Sequence, residues 1–545
     1  MSYAAPYDQI IIDEPPQEPL YQEPDQLVFA PRSKHQWMPL ALPVVMCGLS
    51  WAMGGMALLT DVGFLLMSVI CFVFLVGEFV NFPRRFGIGG ILLYGGVLIW
   101  FCHDYFSHWF LANFQDPSIP FTANTIAKTA FFHTLFVMGM AIGLRIPGGR
   151  LIQRAILSVP EPANESSYLV LILLMLAVGL SPFFIFVNES PIDALYHAIS
   201  ASWTGVAVDF AVSRSGNLNY SWGAYVAQII QVGEVGGIFA SMFAILISTR
   251  LWSKILCWGI WAYWSLFVFN GGRRGELAFM VLPAIGLMFV KYQARAAMAF
   301  RKQSIKAYVV CGLFALFVLF CVQFQGFYRS IGYSNADFSQ FQLTKSQGNT
   351  MFSEGLIAWQ TIPEQKDFFK DDIFGIKVPC AGMIRALPEQ LWWFIIGPIP
   401  RALWTSKPID PLWAWYNQTF TGSNNGTVGT TISHGVVGSW YFNYGAFGCI
   451  EGALLMGWLM AVAERALQRS NGRPMGMLMS LAFGVWIFRI YRDFIFIDLY
   501  GLIIGGVVLS ALVYACRPFL GGAPAGQQHG FEPGMDHGSQ PGYSV

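Results

Sequence analysis

Three groups of cations carry the chemistry this sequence could do. Arg273 and Arg274 lie in a glycine-flanked turn, Asn270-Gly-Gly-Arg-Arg-Gly275. Glycine lets the backbone come close to a ligand, and a guanidinium meets a phosphate as a two-pronged fork. Arg401 and Lys407 make a second pair, with Trp404 between them and Pro400 and Pro408 at the flanks. The prolines stiffen the segment, so both cations can face one bound group with less entropy lost. Arg489, Arg492 and Asp493 share one helical stripe at i, i+3 and i+4. That stripe reads either as ligand contacts, with Arg489 one turn deeper, or as an Arg–Asp pair locking two helices.

Acid–base candidates are fewer. His434 stands next to Gly435 where a long polar segment gives way to an apolar run. Histidine is the side chain whose ordinary titration suits proton transfer near neutral pH, although a histidine at a helix start also serves as a cap. Glu276, Asp410, Glu354, Glu389 and Glu451 are the carboxylate candidates for the same work. Glu451 lies about two turns into an apolar run, where pairing with an arginine is the expected fate of a buried acid. Glu234 follows Gln228 and Gln231 at three-residue spacing inside another apolar run. Such a stripe serves either an ion path or hydrogen bonds between helices, and the second is the simpler expectation. Trp404, Trp413, Trp415, Tyr416, Trp440 and Tyr441 crowd the stretch Gly397–Gly448. Aromatic planes pack on the C–H faces of sugars, but they also collect at bilayer interfaces for their own reasons.

The elements that must position these groups are membrane helices. The chain has 545 residues, 55% of them hydrophobic and 12% charged, and apolar runs of spanning length recur along it. About twelve such runs can be counted at roughly twenty residues each. They begin near Met38, Asp61, Ile88, Ile126, Tyr168, Trp222, Lys254, Glu276, Ala307, Gly435, Pro474 and Ile495. Short basic loops orient them: Asn81–Phe86, Arg145–Arg154, Thr249–Lys254, Lys291–Lys306 and Glu464–Arg473 fall on one, cytoplasmic, side. This alternation holds only if residues 190–215, amphipathic and dotted with polar groups, are re-entrant or lie on the surface. The expected organisation is a disordered cytoplasmic tail at 1–37, a transmembrane bundle at 38–323 and an outer loop at 324–434. A second bundle at 435–516 and a disordered tail at 517–545 complete it. The acidic, proline-rich start lacks the basic and apolar regions of a signal peptide.

This topology puts Arg273, Arg274, Arg329, Arg385, Arg401, Lys407, Arg489 and Arg492 on the outer side, against the usual charge rule. A cation surplus there suggests an anion to be met, in the simplest case a pyrophosphate-sized one. Snorkelling to headgroups or pairing with Glu276, Asp493 and Asp498 is the plainer account of any single one. The 9 cysteines are scattered and imply neither a disulfide framework nor a metal site. Signatures for zinc proteases, serine hydrolases, nucleotide phosphates and dinucleotides are missing from fitting contexts, so no metal and no cofactor is expected. Nothing suggests a nucleic-acid partner.

The Asn270–Gly275 turn, Pro400-Arg-Ala-Leu-Trp-Thr-Ser-Lys-Pro408, Gly438–Gly448 (GSWYFNYGAFG) and Arg489–Asp493 together resemble the Wzy-like oligosaccharide repeat-unit polymerases, relatives of the O-antigen ligases. The resemblance spans roughly Lys254 to Phe496. The amino-terminal half matches only as polytopic membrane sequence. It implies an all-α, GT-C-like glycosyltransferase of the bacterial inner membrane, with a long periplasmic loop carrying short amphipathic helices. Donor and acceptor would both be glycans on undecaprenyl pyrophosphate, so the leaving group needs positive charge and no metal. Membrane lipids and a chain-length regulator would be the further partners. In this picture Arg273 or Arg274, the latter favoured because it precedes Gly275, holds pyrophosphate with Arg401, Lys407, Arg489 and Arg492. His434 orients or deprotonates the acceptor hydroxyl, with Glu276 or Asp410 as the alternative base. Trp404, Trp413, Tyr416, Trp440 and Tyr441 would hold sugar. A ligase shares this chemistry. A flippase or other transporter, the rival from a different class, would draw on the Glu234 stripe.

Overall fold

The computed structural model describes residues 35–80, 87–106, 122–193, 221–270, 277–288 and 435–491, less short gaps, and a few isolated positions beyond them. Among these residues every regular element is helical. Ten α-helices are named here: α1 (Ala41–Ala52), α2 (Ala57–Val80), α3 (Ile88–Val97), α4 (Ala123–Gly143), α5 (Arg150–Leu157), α6 (Glu165–Pro182), α7 (Ser221–Leu246), α8 (Leu251–Asn270), α9 (Gly435–Arg469) and α10 (Pro474–Ile490). Residues 280–288 are also helical. Four of the described helices contain stretches long and apolar enough to cross a membrane: Ala57–Glu78, Ala123–Gly143, Glu165–Ile185 and Ala446–Arg469. Met38–Ala52, Ile88–Cys102, Val232–Leu246 and Pro474–Phe488 are shorter apolar helices. The run starts expected from hydropathy meet helix starts closely, the largest offset being Asp61 against Ala57. The runs expected at Ala307 and Ile495, and the tails, fall outside the described residues.

Local signals explain several boundaries. Thr122 caps α4 by accepting from the Thr125 N–H at 3.1 Å, and Asn164 caps α6 by accepting from the Ser167 N–H at 2.8 Å. Proline at the first position opens α10.

The helices pack into two cores. The first joins α1, α2, α3, α4 and α9 with the end of α10 around Phe64, Tyr94, Phe136, Met456 and Tyr491. The second joins α6, α7, α8 and residues 280–288 with the start of α10 around Trp264, Leu171 and Met280. In the first core, α1 runs against α4, since Gly48 faces Phe131 and Gly55 faces Ala123. The later part of α9 runs with α4 at very close approach: an added Cβ on Gly143 would fall 2.2 Å from the Leu454 carbonyl, and one on Gly457 2.1 Å from that of Met140. Gly139 and Gly143 stand four apart, the small-residue spacing that lets membrane helices meet backbone to backbone.

α9 is not straight. The Cys449 thiol donates to the Val437 carbonyl at 3.8 Å, and a Cβ on Gly452 would touch the Trp440 ring. Residues twelve apart in a straight helix are about 18 Å distant. The helix therefore bends between Trp440 and Cys449 and folds its first turns back on its middle.

Candidate functional site

Helix directions sort the molecule into two ends. At one end α4 stops and α5 begins, α7 hands over to α8, and α9 hands over to α10. The Thr249 hydroxyl donates to Glu165 at the start of α6 at 2.9 Å, and Leu157 of α5 covers Gly476 of α10. Arg145–Arg154, Thr249–Lys254 and Glu464–Arg473 thus meet at this end, which we call the basic end. In the second core α6 and α7 are antiparallel, with Gly179 against Gly233 and Tyr168 against Phe243. The chain consequently leaves α6 and enters α7 at the opposite end. Residues 190–215 lie outside the described residues, Ser190, Ile192 and Asp193 excepted.

The opposite end gathers the functional candidates. α8 ends there with Asn270, immediately before Gly271–Glu276. α9 starts there with Gly435, immediately after His434, and α10 finishes there. A backbone hydrogen bond ties the last two together: the Val436 N–H donates to the Tyr491 carbonyl at 3.1 Å. Tyr491 is fully buried, and its hydroxyl donates to the Leu93 carbonyl at 3.0 Å, anchoring the end of α10 to α3. Arg489 is in the last turn of α10, two residues from this anchor. Its side chain lies outside the described residues, as do His434, Glu276, Asp410, Arg273, Arg274, Arg401, Lys407, Arg492, Trp413 and Tyr416.

Of the aromatic candidates, Trp404 is half-buried, and Trp440 is 2% exposed in the bend of α9 against Gly452. Tyr441 is half-buried and tilted against Phe132 of α4 at 5.0 Å. It also forms one wall around a cation that sequence reasoning did not single out. The Lys128 ammonium lies 5.2 Å from the Tyr441 ring centroid and 5.8 Å from that of Trp51. A lysine six residues into a span, framed by distant aromatics, leaves only one trace in sequence: it is a charge in an apolar run. Nearby, the buried His133 donates from Nδ1 to the Thr129 carbonyl at 2.8 Å, its ring edge-on to Phe101. Tyr105, stacked on Phe64, donates to the Asp61 carboxylate. This end thus offers a cation held on aromatic planes, and from it the chain runs into Gly271–Glu276 after α8, out of His434 into α9, and into Arg492 after α10; Arg401 and Lys407 lie outside the described residues.

Elsewhere, Glu234 is 6% exposed within α7, in the second core. Glu451 is half-buried, and its Oε2 has no hydrogen-bond partner among the described residues. No group of metal-ligating side chains occurs among the described residues.

The described fold is that of an α-helical protein with four helices long and apolar enough to cross a membrane, and its candidate site lies at the end away from the basic loops. Comparison with protein-family models, with curated proteins and with solved structures returned no match for this chain.

Proposed function

We propose that the protein is a metal-independent glycosyltransferase that polymerises undecaprenyl-pyrophosphate-linked oligosaccharide repeat units at the periplasmic face of a bacterial inner membrane. The observation that carries this reading is that the α8, α9 and α10 ends lie on one side of the molecule, opposite the basic loops, with the last two tied by the Val436–Tyr491 hydrogen bond. Those ends lead directly into the Arg273–Arg274 turn, His434 and the Arg489–Arg492 stripe. A group with pyrophosphate as leaving group needs cations from several elements at one point, and that is what such ends can supply.

In the proposed step an acceptor-sugar hydroxyl attacks the anomeric carbon of the donor glycan. The new glycosidic bond forms as the bond from that carbon to the pyrophosphate oxygen breaks, and the lipid pyrophosphate leaves with the electron pair. The hydroxyl proton passes to His434, with Glu276 or Asp410 as the alternative base. Arg274, Arg401, Lys407 and Arg489 meet the charge on the pyrophosphate, and Arg273 and Arg492 extend the set. Tyr441, Trp404, Trp413 and Tyr416 offer planes for sugar, and Trp440 supports them from within the bend of α9.

The test is reconstitution of the full chain in liposomes with undecaprenyl-pyrophosphate repeat units and no nucleotide. A ladder of glycan lengths is expected, and Arg401→Ala and Arg274→Ala are each expected to slow elongation on the order of 10²-fold. Full activity in both variants overturns the pyrophosphate assignment. No elongation by the parent protein overturns polymerisation, and single transfer of a preassembled chain identifies a ligase instead.

A further inference from the structure

The basic end carries a feature that glycosyl transfer does not use. Between the spanning helices α4 and α6 the chain forms the short helix α5 rather than a plain loop. Gly149, with φ of +75°, turns the chain into it. Arg465 of α9 clamps the approach, donating to the Gly148 carbonyl at 2.9 Å and the Ile146 carbonyl at 2.8 Å. Gln153 of α5 is 1% exposed, donates to the Gly148 carbonyl at 3.0 Å and accepts from Arg469. Ile156 is buried beside it. The inward face of α5 is thus fixed to α9 and its loop.

The outward face is divided into two strips. Arg150 and Arg154 are exposed and, at four-residue spacing, lie about 40° apart around the helix. Among the described residues neither meets a carboxylate. Leu151, 80% exposed, and the exposed Ala155 form an apolar strip beside them, about 100° further round. A helix held where two spans end, with a basic strip next to an apolar one, has the geometry of an interfacial helix. Its leucine can enter the acyl boundary while guanidiniums reach phosphates.

We infer that Arg150, Leu151 and Arg154 form a docking site for an anionic phospholipid headgroup of the leaflet at the basic end. Charge decides the occupant: two neighbouring guanidiniums match a phosphodiester, and the adjoining leucine matches its acyl chain rather than a soluble anion. Through Arg465 and Arg469 the site is connected to α9, so an occupied site stabilises the helix that enters the candidate catalytic end.

The test compares thermal unfolding of the full chain in nanodiscs of phosphatidylcholine and in nanodiscs containing phosphatidylglycerol. Phosphatidylglycerol is expected to raise the Tm of the parent protein. The double variant Arg150→Gln/Arg154→Gln is expected to lose most of that rise while matching the parent in phosphatidylcholine, and Leu151→Ser to lose part of it. Arg250→Gln, an exposed arginine of the same end, should keep it. Free glycerol phosphate should produce no rise. The inference is overturned if the parent shows no rise, if the double variant keeps it, if Arg250→Gln loses as much, or if free glycerol phosphate reproduces it.

Discussion

At the scale of residues, Lys128 is the group whose role the tertiary structure changes most. A lysine near the start of an apolar run reads as a charge that snorkels to the surface. In the fold it is bracketed by Trp51 from α1 and Tyr441 from α9, elements that no local pattern would pair with it. A cation held over aromatic rings contributes about 0.5–2 kcal/mol. Lys128→Met is therefore expected to destabilise the protein by about 1 kcal/mol. Lys128→Arg should restore most of this. In thermal unfolding, Tyr441→Leu should cost less in a Lys128→Met background than in the parent protein, because the two share one interaction. Strict additivity of the two would show that the ring does not hold the ammonium. Trp440 and Tyr441 illustrate the same point. They are neighbours in sequence with the same expected role, yet one packs inside a bend and the other faces Lys128 and Phe132.

At the scale of elements, two contacts hold α9 in place. Glu464, 7% exposed, accepts from the Gly89 N–H at 3.0 Å and so caps α3 from a helix 375 residues away. Glu464→Ala strands that N–H and is expected to cost about 1–3 kcal/mol, with Glu464→Gln retaining an acceptor and most of the stability. The α4–α9 crossing depends on absent side chains. Gly143→Ala would drive a Cβ against the Leu454 backbone at 2.2 Å, whereas Gly48→Ala meets only the Phe131 ring at 3.2 Å. Backbone cannot move aside as a ring can, so the first change should lower Tm clearly more than the second. Equal shifts would contradict the close crossing.

At the scale of the molecule, the helix directions make a prediction about sides. Asn124 at the start of α4 and Ser158 at the end of α5 are both exposed and belong to opposite ends. The described cysteines Cys47, Cys71, Cys102, Cys257 and Cys449 are buried and free, so introduced thiols stand out once the other cysteines are replaced. In intact cells a membrane-impermeant thiol reagent is expected to label Asn124→Cys, and to label Ser158→Cys only after the membrane is opened. Labelling of both from outside would show that the two ends do not face opposite sides of a membrane.

What could be read from residues alone was the helical architecture and where its pieces start. Apolar length and charge placement are properties of each segment by itself, and a bilayer-spanning helix satisfies its backbone internally, so Gly435 and Pro474 could be located without a partner. That the basic segments Arg145–Arg154, Thr249–Lys254 and Glu464–Arg473 share one end was likewise legible, because alternation of spans converts sequence order into sides. Tertiary structure alone decided the rest: that the start of α9 is tied to the end of α10 by the Val436–Tyr491 hydrogen bond, that α9 bends on itself, and that Arg145–Arg154 contains an anchored helix. Each of these depends on contacts between residues far apart in the chain, and the free energy of such a contact is written in no single segment.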